Sequence, residues 1–198
     1  MSNKKFLFLF FFIKLMSLDI SISHCKTNDT FTNNHFNKET NLDINDIISF
    51  IASYFVDIII ENREFRNERP LNKNDIFYSN KIPLITTEEF IIRIEKYTQL
   101  ECSTLISAFI YTKRLIEKEN YIIGLNNLYR IFLGACIIAI KFNEDSNFKN
   151  KYYAKIGGLN LEELNLIEYN IYYRIDFNLI INEKEYFEVI NNVLRNHV

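Results

Sequence analysis

The run Ile131-Phe-Leu-Gly-Ala-Cys-Ile-Ile-Ala-Ile140 leaves almost no polar face when wound into a helix, and it constrains the fold more than any other stretch of the chain. An apolar segment of this kind must be covered on every side, yet it is shorter than the roughly 18 apolar residues that a membrane span requires. It therefore reads as the central helix of a globular bundle. Two neighbouring segments carry the complementary pattern. Leu105, Ile106, Phe109, Ile110 and Leu115, and again Leu161, Leu164, Ile167 and Ile171, each lay a single apolar stripe at helical spacing, as a surrounding layer should.

Helix starts are marked by capping chemistry. Thr86 followed by Glu89, Asn160 followed by Glu163, and Asn182 followed by Glu185 each set a short acceptor at an N-cap and a carboxylate at N3. The first free N–H groups and the helix dipole are then both answered. The pattern predicts helices over Thr87 to Thr98, Cys102 to Glu119, Leu125 to Phe142, Leu161 to Arg174 and Glu183 to Asn196, with a short helical turn over Asn150 to Lys155. Upstream, Ile44, Ile47, Ile48, Ile51, Phe55, Ile58 and Ile59 predict a further amphipathic helix, capped by Asp43 and ending near Asn62. Both prolines, Pro70 and Pro83, fall in the polar stretch between Glu64 and Pro83, which reads as a connector rather than core. With only 4 glycines and 2 prolines in 198 residues, a turn-dense all-β architecture is disfavoured. The expected class is all-α: a five-helix domain around a central helix, with an added N-terminal helix and a C-terminal helix. In residues this gives a leader and tether over 1–42, an amphipathic helix over 43–64, a connector over 65–84, the helical domain over 85–180 and a last helix over 181–198.

The leader places Lys4 and Lys5 before the apolar run Phe6 to Ile13, then Lys14, and later Ser21, Ile22 and Ser23. It fits two readings, a secretory signal peptide or an apolar low-complexity leader, and the run is too short to span a bilayer. Residues 26–40 are polar and without periodicity, which reads as a disordered tether. Three cysteines, Cys25, Cys102 and Cys136, form neither a CxxC pair nor a zinc framework and suggest free thiols in a reducing compartment. With His24 and His35 near the start and His197 at the end, a histidine-based dyad or metal cluster inside the core is disfavoured. A formal charge of -2, with no Lys/Arg cluster interleaved by aromatics, gives no steering toward phosphate, so nucleic acid is not an expected partner. Gly157-Gly158 lacks a GxGxxG or Walker pattern and reads as a tight turn with one glycine at positive φ. No metal, cofactor or small-molecule ligand is expected, and membrane association is not favoured.

Five blocks occur in an ordered series: Phe90-Ile-Ile-Arg-Ile-Glu-Lys-Tyr-Thr98, Ile110-Tyr-Thr-Lys-Arg114, Ala139-Ile-Lys-Phe142, Tyr152-Tyr-Ala-Lys-Ile-Gly-Gly-Leu159, and Glu163-Leu-Asn-Leu-Ile-Glu168 followed by Ile175-Asp-Phe177. Together they resemble the cyclin box of the P/U-type cyclins, the group that includes the yeast phosphate-system cyclin and the plant P-type cyclins. The resemblance covers roughly Ile44 to Val189. It implies a single-box, non-enzymatic regulatory subunit that binds and activates a cyclin-dependent protein kinase, in the cytoplasm or nucleus unless the leader directs export. In that family a lysine ending the central helix and a glutamate of the fifth helix clamp the kinase αC region, and the matching residues are Lys141 and Glu168. Arg93, Arg130, Phe142, Tyr152 and Tyr153 match supporting positions of the box. Taken alone, Lys141 is also what a helix C-terminus favours through its dipole, and Glu168 could simply flank an apolar stripe.

Departures from the family pattern are specific. Lys113 stands where an aspartate usually pairs with the arginine of the first box helix, here Arg93, so Glu95 or Glu117 must substitute, or Lys113 must turn to solvent and Arg93 find another acceptor. The usual Asn-Val-His-Arg is Asn127-Leu-Tyr-Arg130, and the acidic pair after the lysine is Asn143-Glu-Asp145. The chain has no tryptophan, and Gln99 falls near the place of the substrate-docking tryptophan of cell-cycle cyclins. A cyclin-fold scaffold that binds without activating a kinase is the alternative these departures raise.

Overall fold

A computed structural model describes residues 42–65 and 71–196. Of the leader and tether expected over residues 1–42, residues 1–41 lie outside the described residues. Among the described residues there are seven helices and no strand: α1 (Ile44–Phe65), α2 (Thr87–Thr98), α3 (Cys102–Glu119), α4 (Leu128–Asn143), α5 (Asn150–Gly157), α6 (Leu161–Arg174) and α7 (Glu183–Asn196). The all-α class is as the periodicity predicts, with α4 at the centre: every residue from Ile131 to Ile140 is buried.

α3 and α6 pack along α4, α1 and α2 close one side of the bundle, α5 lies against α4 and α6, and α7 covers α1 and α3. The rings of Phe55 from α1, Phe109 from α3 and Phe132 from α4 join the layers, with Phe55 edge-on to Phe132 at 5.2 Å and 5.9 Å from Phe109. Each ring is fully buried and contributes about 1.5–3 kcal/mol by area. Gly134 lets α6 approach α4 closely, because a Cβ at that position would overlap the side chains of Ile167 and Ile171. That close crossing brings the C-terminal half of α4 alongside α6.

Two of the three capping signals form complete boxes. The Glu89 N–H donates to Thr86 and the Thr86 N–H to Glu89, and the same exchange joins Glu163 and Asn160. The third is half a box. The Glu185 N–H donates to Asn182 Oδ1 at 2.9 Å, but the Glu185 carboxylate is taken by Arg114 of α3, a stronger charge-assisted partner than a backbone amide. The central helix begins at Leu128 rather than Leu125. Asn127 explains the delay: its side chain accepts from the Gly124 N–H and donates to the Ile122 carbonyl, which folds residues 124–127 into a turn. α5 continues to Gly157 and is ended by Gly158, in the left-handed region at φ 65°, as a Gly-Gly turn requires.

The connector departs from expectation in one respect. Among its described residues, 71–84, there is no helix, but Phe77 is fully buried, so part of the stretch is core. Asp75 pairs with Arg174 at 2.9 Å, and that guanidinium lies 5.0 Å from the Phe77 ring and 5.7 Å from the Tyr121 ring. A single buried aromatic among polar residues leaves no period to read.

Candidate partner-binding site

Lys141 occupies the last turn of α4, where the chain leaves the core. Facing it on α6 is Glu168, whose side chain is only 6% exposed while that of Lys141 is 29% exposed. The Lys141 ammonium donates to Glu168 Oε1 at 2.7 Å. The other carboxylate oxygen, Oε2, accepts from Asn150 Nδ2 at 2.8 Å, and the same amide donates to Asn165 Oδ1 at 2.7 Å. A buried carboxylate is thus compensated on both oxygens, by a cation and by an amide. An ammonium carries three donors and one is used on Glu168, so Lys141 keeps donors for a group arriving from outside.

Exposed apolar side chains occur on the same helices. Phe142, next to Lys141, is 53% exposed, and Leu166 and Tyr173 of α6 are exposed as well. Before α5, the exposed ring of Phe148 lies 4.4 Å from that of Tyr152, whose hydroxyl donates to the Tyr97 carbonyl at the end of α2. Tyr153 is fully buried and accepts from the Phe148 N–H at 3.0 Å; burial pushes its phenol up to about 12. Tyr172 of α6 is likewise pushed up by burial, with the Glu168 charge adding to the effect. Both phenols are neutral at physiological pH.

The residues singled out from the sequence divide in space. Lys141, Phe142, Glu168, Tyr152 and Tyr153 belong to the end of the bundle formed by the C-terminus of α4, α5 and α6. Arg130 lies at the other end of α4, donating to Glu163 at 3.1 Å and to the Ile76 carbonyl at 3.2 Å, so it ties α6 and the connector to the central helix. Arg93 is exposed on α2, which removes the expected problem of a buried charge without its usual aspartate. Lys113 neither meets Arg93 nor turns fully to solvent. It pairs with Glu188 of α7 at 3.9 Å, because α3 presents that position to the last helix. The next residue, Arg114, is the stronger organiser: it binds both oxygens of Glu185 and the carbonyls of Asn178 and Ile180. These pairs line a cleft of about 160 Å³ between α3 and α7.

Asn150 and Asn165 were not distinguished in the sequence, where asparagine is so abundant that one more carries no signal. The clue was position: Asn150 directly precedes the Lys-Tyr-Tyr block and stands 18 residues from Glu168. Among the described residues no three His, Cys, Asp or Glu side chains gather as a metal site, and no helix is long and apolar enough to cross a membrane.

The sequence profile of the cyclin family matches residues 24–179. The chain belongs to the cyclin family. Cyclin-U2-1 of Arabidopsis thaliana is 33% identical over 143 residues, which is 69% of this chain and 62% of that protein. PHO85 cyclin-like protein psl1 of Schizosaccharomyces pombe is 32% identical over 108 residues, covering 54% of this chain and 44% of that protein. PHO85 cyclin-7 of Saccharomyces cerevisiae is 27% identical over 121 residues, 55% of this cyclin and 42% of the yeast protein. These relatives agree with a P/U-type box, and the cyclin spans less than two thirds of the length of each.

Proposed function

We propose that this cyclin is a non-catalytic regulatory subunit that binds a cyclin-dependent protein serine/threonine kinase through the Lys141–Glu168 face and holds it in its active form. The observation that carries the reading is the pair itself: a carboxylate anchored in the core orients a partly exposed ammonium next in sequence to the exposed ring of Phe142. Such a face can satisfy backbone carbonyls at the end of a partner helix while burying its apolar side chains. Held inward, a kinase αC helix can form the Lys–Glu ion pair that phosphoryl transfer needs. Two relatives carry PHO85 in their names, which makes a PHO85-type kinase the first partner to try. The reading puts the working protein in the cytoplasm or nucleus.

The test is a binding and phosphorylation assay with recombinant PHO85-type kinase. Binding with a gain in phosphorylation supports the activator. Binding with no gain supports the scaffold reading that Lys113 raises, although in this fold Lys113 is taken up by Glu188 of α7. Absence of binding to this kinase and to kinases captured from native cells overturns both.

A further inference from the structure

We infer that Asn150 is a positioning residue of the partner site: its side-chain amide fixes the Glu168 carboxylate, and through it the direction in which Lys141 presents its free donors. This rests on the reading of Lys141 and Glu168 as the kinase-facing pair. The Glu168 carboxylate has two oxygens on one rotatable plane; Lys141 holds Oε1 at 2.7 Å and Asn150 holds Oε2 at 2.8 Å. Removing the second bond frees that plane to turn and lets the ammonium follow it. The amide is itself held, because Asn165 Oδ1 accepts from the same nitrogen at 2.7 Å. The bond to Glu168 settles which end of Asn150 faces it, because a carboxylate only accepts; the nitrogen then meets both acceptors. Asn150 is also the first residue of α5, so this short helix is tied to α6 at the pair, and its docking and the geometry of the site are one event.

The residue type is decisive. An amide donates to the carboxylate without adding charge, whereas a carboxylate of nearly the same shape would repel Glu168 unless one proton were shared between them. The other groups facing Glu168 are the Lys141 ammonium from α4, the Tyr153 phenol from α5 and the Tyr172 phenol from α6, with Glu144 near Tyr153 in the following loop. Both phenols are raised by burial, so neither titrates in the window where a shared proton would be lost.

The experiment compares wild type, Asn150→Leu and Asn150→Asp in two measurements, with thermal unfolding to show that each is folded. In the free protein, ¹³C relaxation at Lys141 Cε reports how firmly the ammonium is held; the expected result is an ordered wild type and a more mobile Asn150→Leu. In kinase binding, Asn150→Leu is weakened roughly tenfold, the loss of one hydrogen bond to a charged group. Asn150→Asp is weakened similarly at about pH 8 and recovers at about pH 5.5, where the carboxyl pair shares a proton in place of the amide hydrogen. Asn150→Leu, which cannot share a proton, shows no recovery beyond that of wild type. Lys141 as ordered in Asn150→Leu as in wild type overturns the inference, and so does Asn150→Asp binding that follows the wild-type pH profile. Failure of wild type to bind any kinase overturns the partner reading instead, and the relaxation measurement then still decides the role of Asn150.

Discussion

Two cation–carboxylate pairs organise opposite parts of this cyclin, and they are built to different ends. At the junction of α3 and α7, Arg114 reaches Glu185 at 2.6 Å and spends two further donors on the carbonyls of Asn178 and Ile180. Those carbonyls follow a turn in which Asp176 and Phe177 both take left-handed backbone, at φ 55° and 57°, a conformation costing about 1 kcal/mol or more for each non-glycine residue. The guanidinium is a staple: four of its five N–H donors go to the chain's own groups and hold a strained turn in place. At the other end, Lys141 meets Glu168 at 2.7 Å and keeps donors to spare. The carboxylate is the anchored member and the ammonium the presented one. On the proposed reading, a short ion pair alone does not mark a binding site; what distinguishes the Lys141 pair is hydrogen-bonding capacity left unspent on an ammonium next in sequence to the exposed ring of Phe142.

Mutations at the two pairs should therefore have opposite signatures. The largest effect is expected for Arg114→Met, which strands Glu185 and releases the turn: unfolding free energy falls by about 3 kcal/mol in denaturant titration, while kinase affinity of the folded protein stays within about twofold of wild type. Next, Lys141→Glu or Glu168→Lys weakens kinase binding by roughly 2 kcal/mol or more, about thirtyfold, by calorimetry, as for a desolvated charged contact. An equal loss of affinity from Arg114→Met would erase the distinction between the two pairs. Phe142→Ala sharpens it: its half-exposed ring contributes little to the fold, so affinity drops by about 1.5 kcal/mol with Tm nearly unchanged.

The smallest effect belongs to the stapled side. The Tyr111 hydroxyl donates to the Leu179 carbonyl at 2.9 Å, and burial pushes the phenol up to about 12. Because the folded value lies above the ordinary 10, its stabilisation is complete below pH 10 and is lost as pH rises from there toward 12. Tyr111→Phe should cost about 1 kcal/mol at neutral pH and approach wild type at about pH 11, as followed by chemical denaturation across pH.

The helical frame was legible because its signals are local. α2, α3, α6 and α7 run between the residues that apolar spacing and capping pairs marked, since periodicity and N-cap chemistry act within a few residues of the chain. What escaped were interactions between segments far apart in sequence. Phe77 in the connector is core because Arg174, 99 positions from Asp75, comes to cover it. Glu185 was assigned to its own helix cap, and a cation 71 positions away took it. At the site, Lys141 and Glu168 were recognised through the blocks that contain them, and they meet in space. Asn150 was missed because an amide has no periodicity and no charge pattern; only the fold reveals that it lies between two acceptors.

The central claim is that the open pair faces a kinase, and its most direct test is affinity capture of tagged protein from its native cells with mass spectrometry, run beside the Lys141→Glu, Glu168→Lys double variant. The swap keeps a cation opposite a carboxylate within the fold and reverses the charge presented outward. Enrichment of a protein kinase with wild type and its loss with the swapped variant is the predicted result; equal recovery of the kinase by both proteins, or secretory-pathway proteins and no kinase, would contradict it.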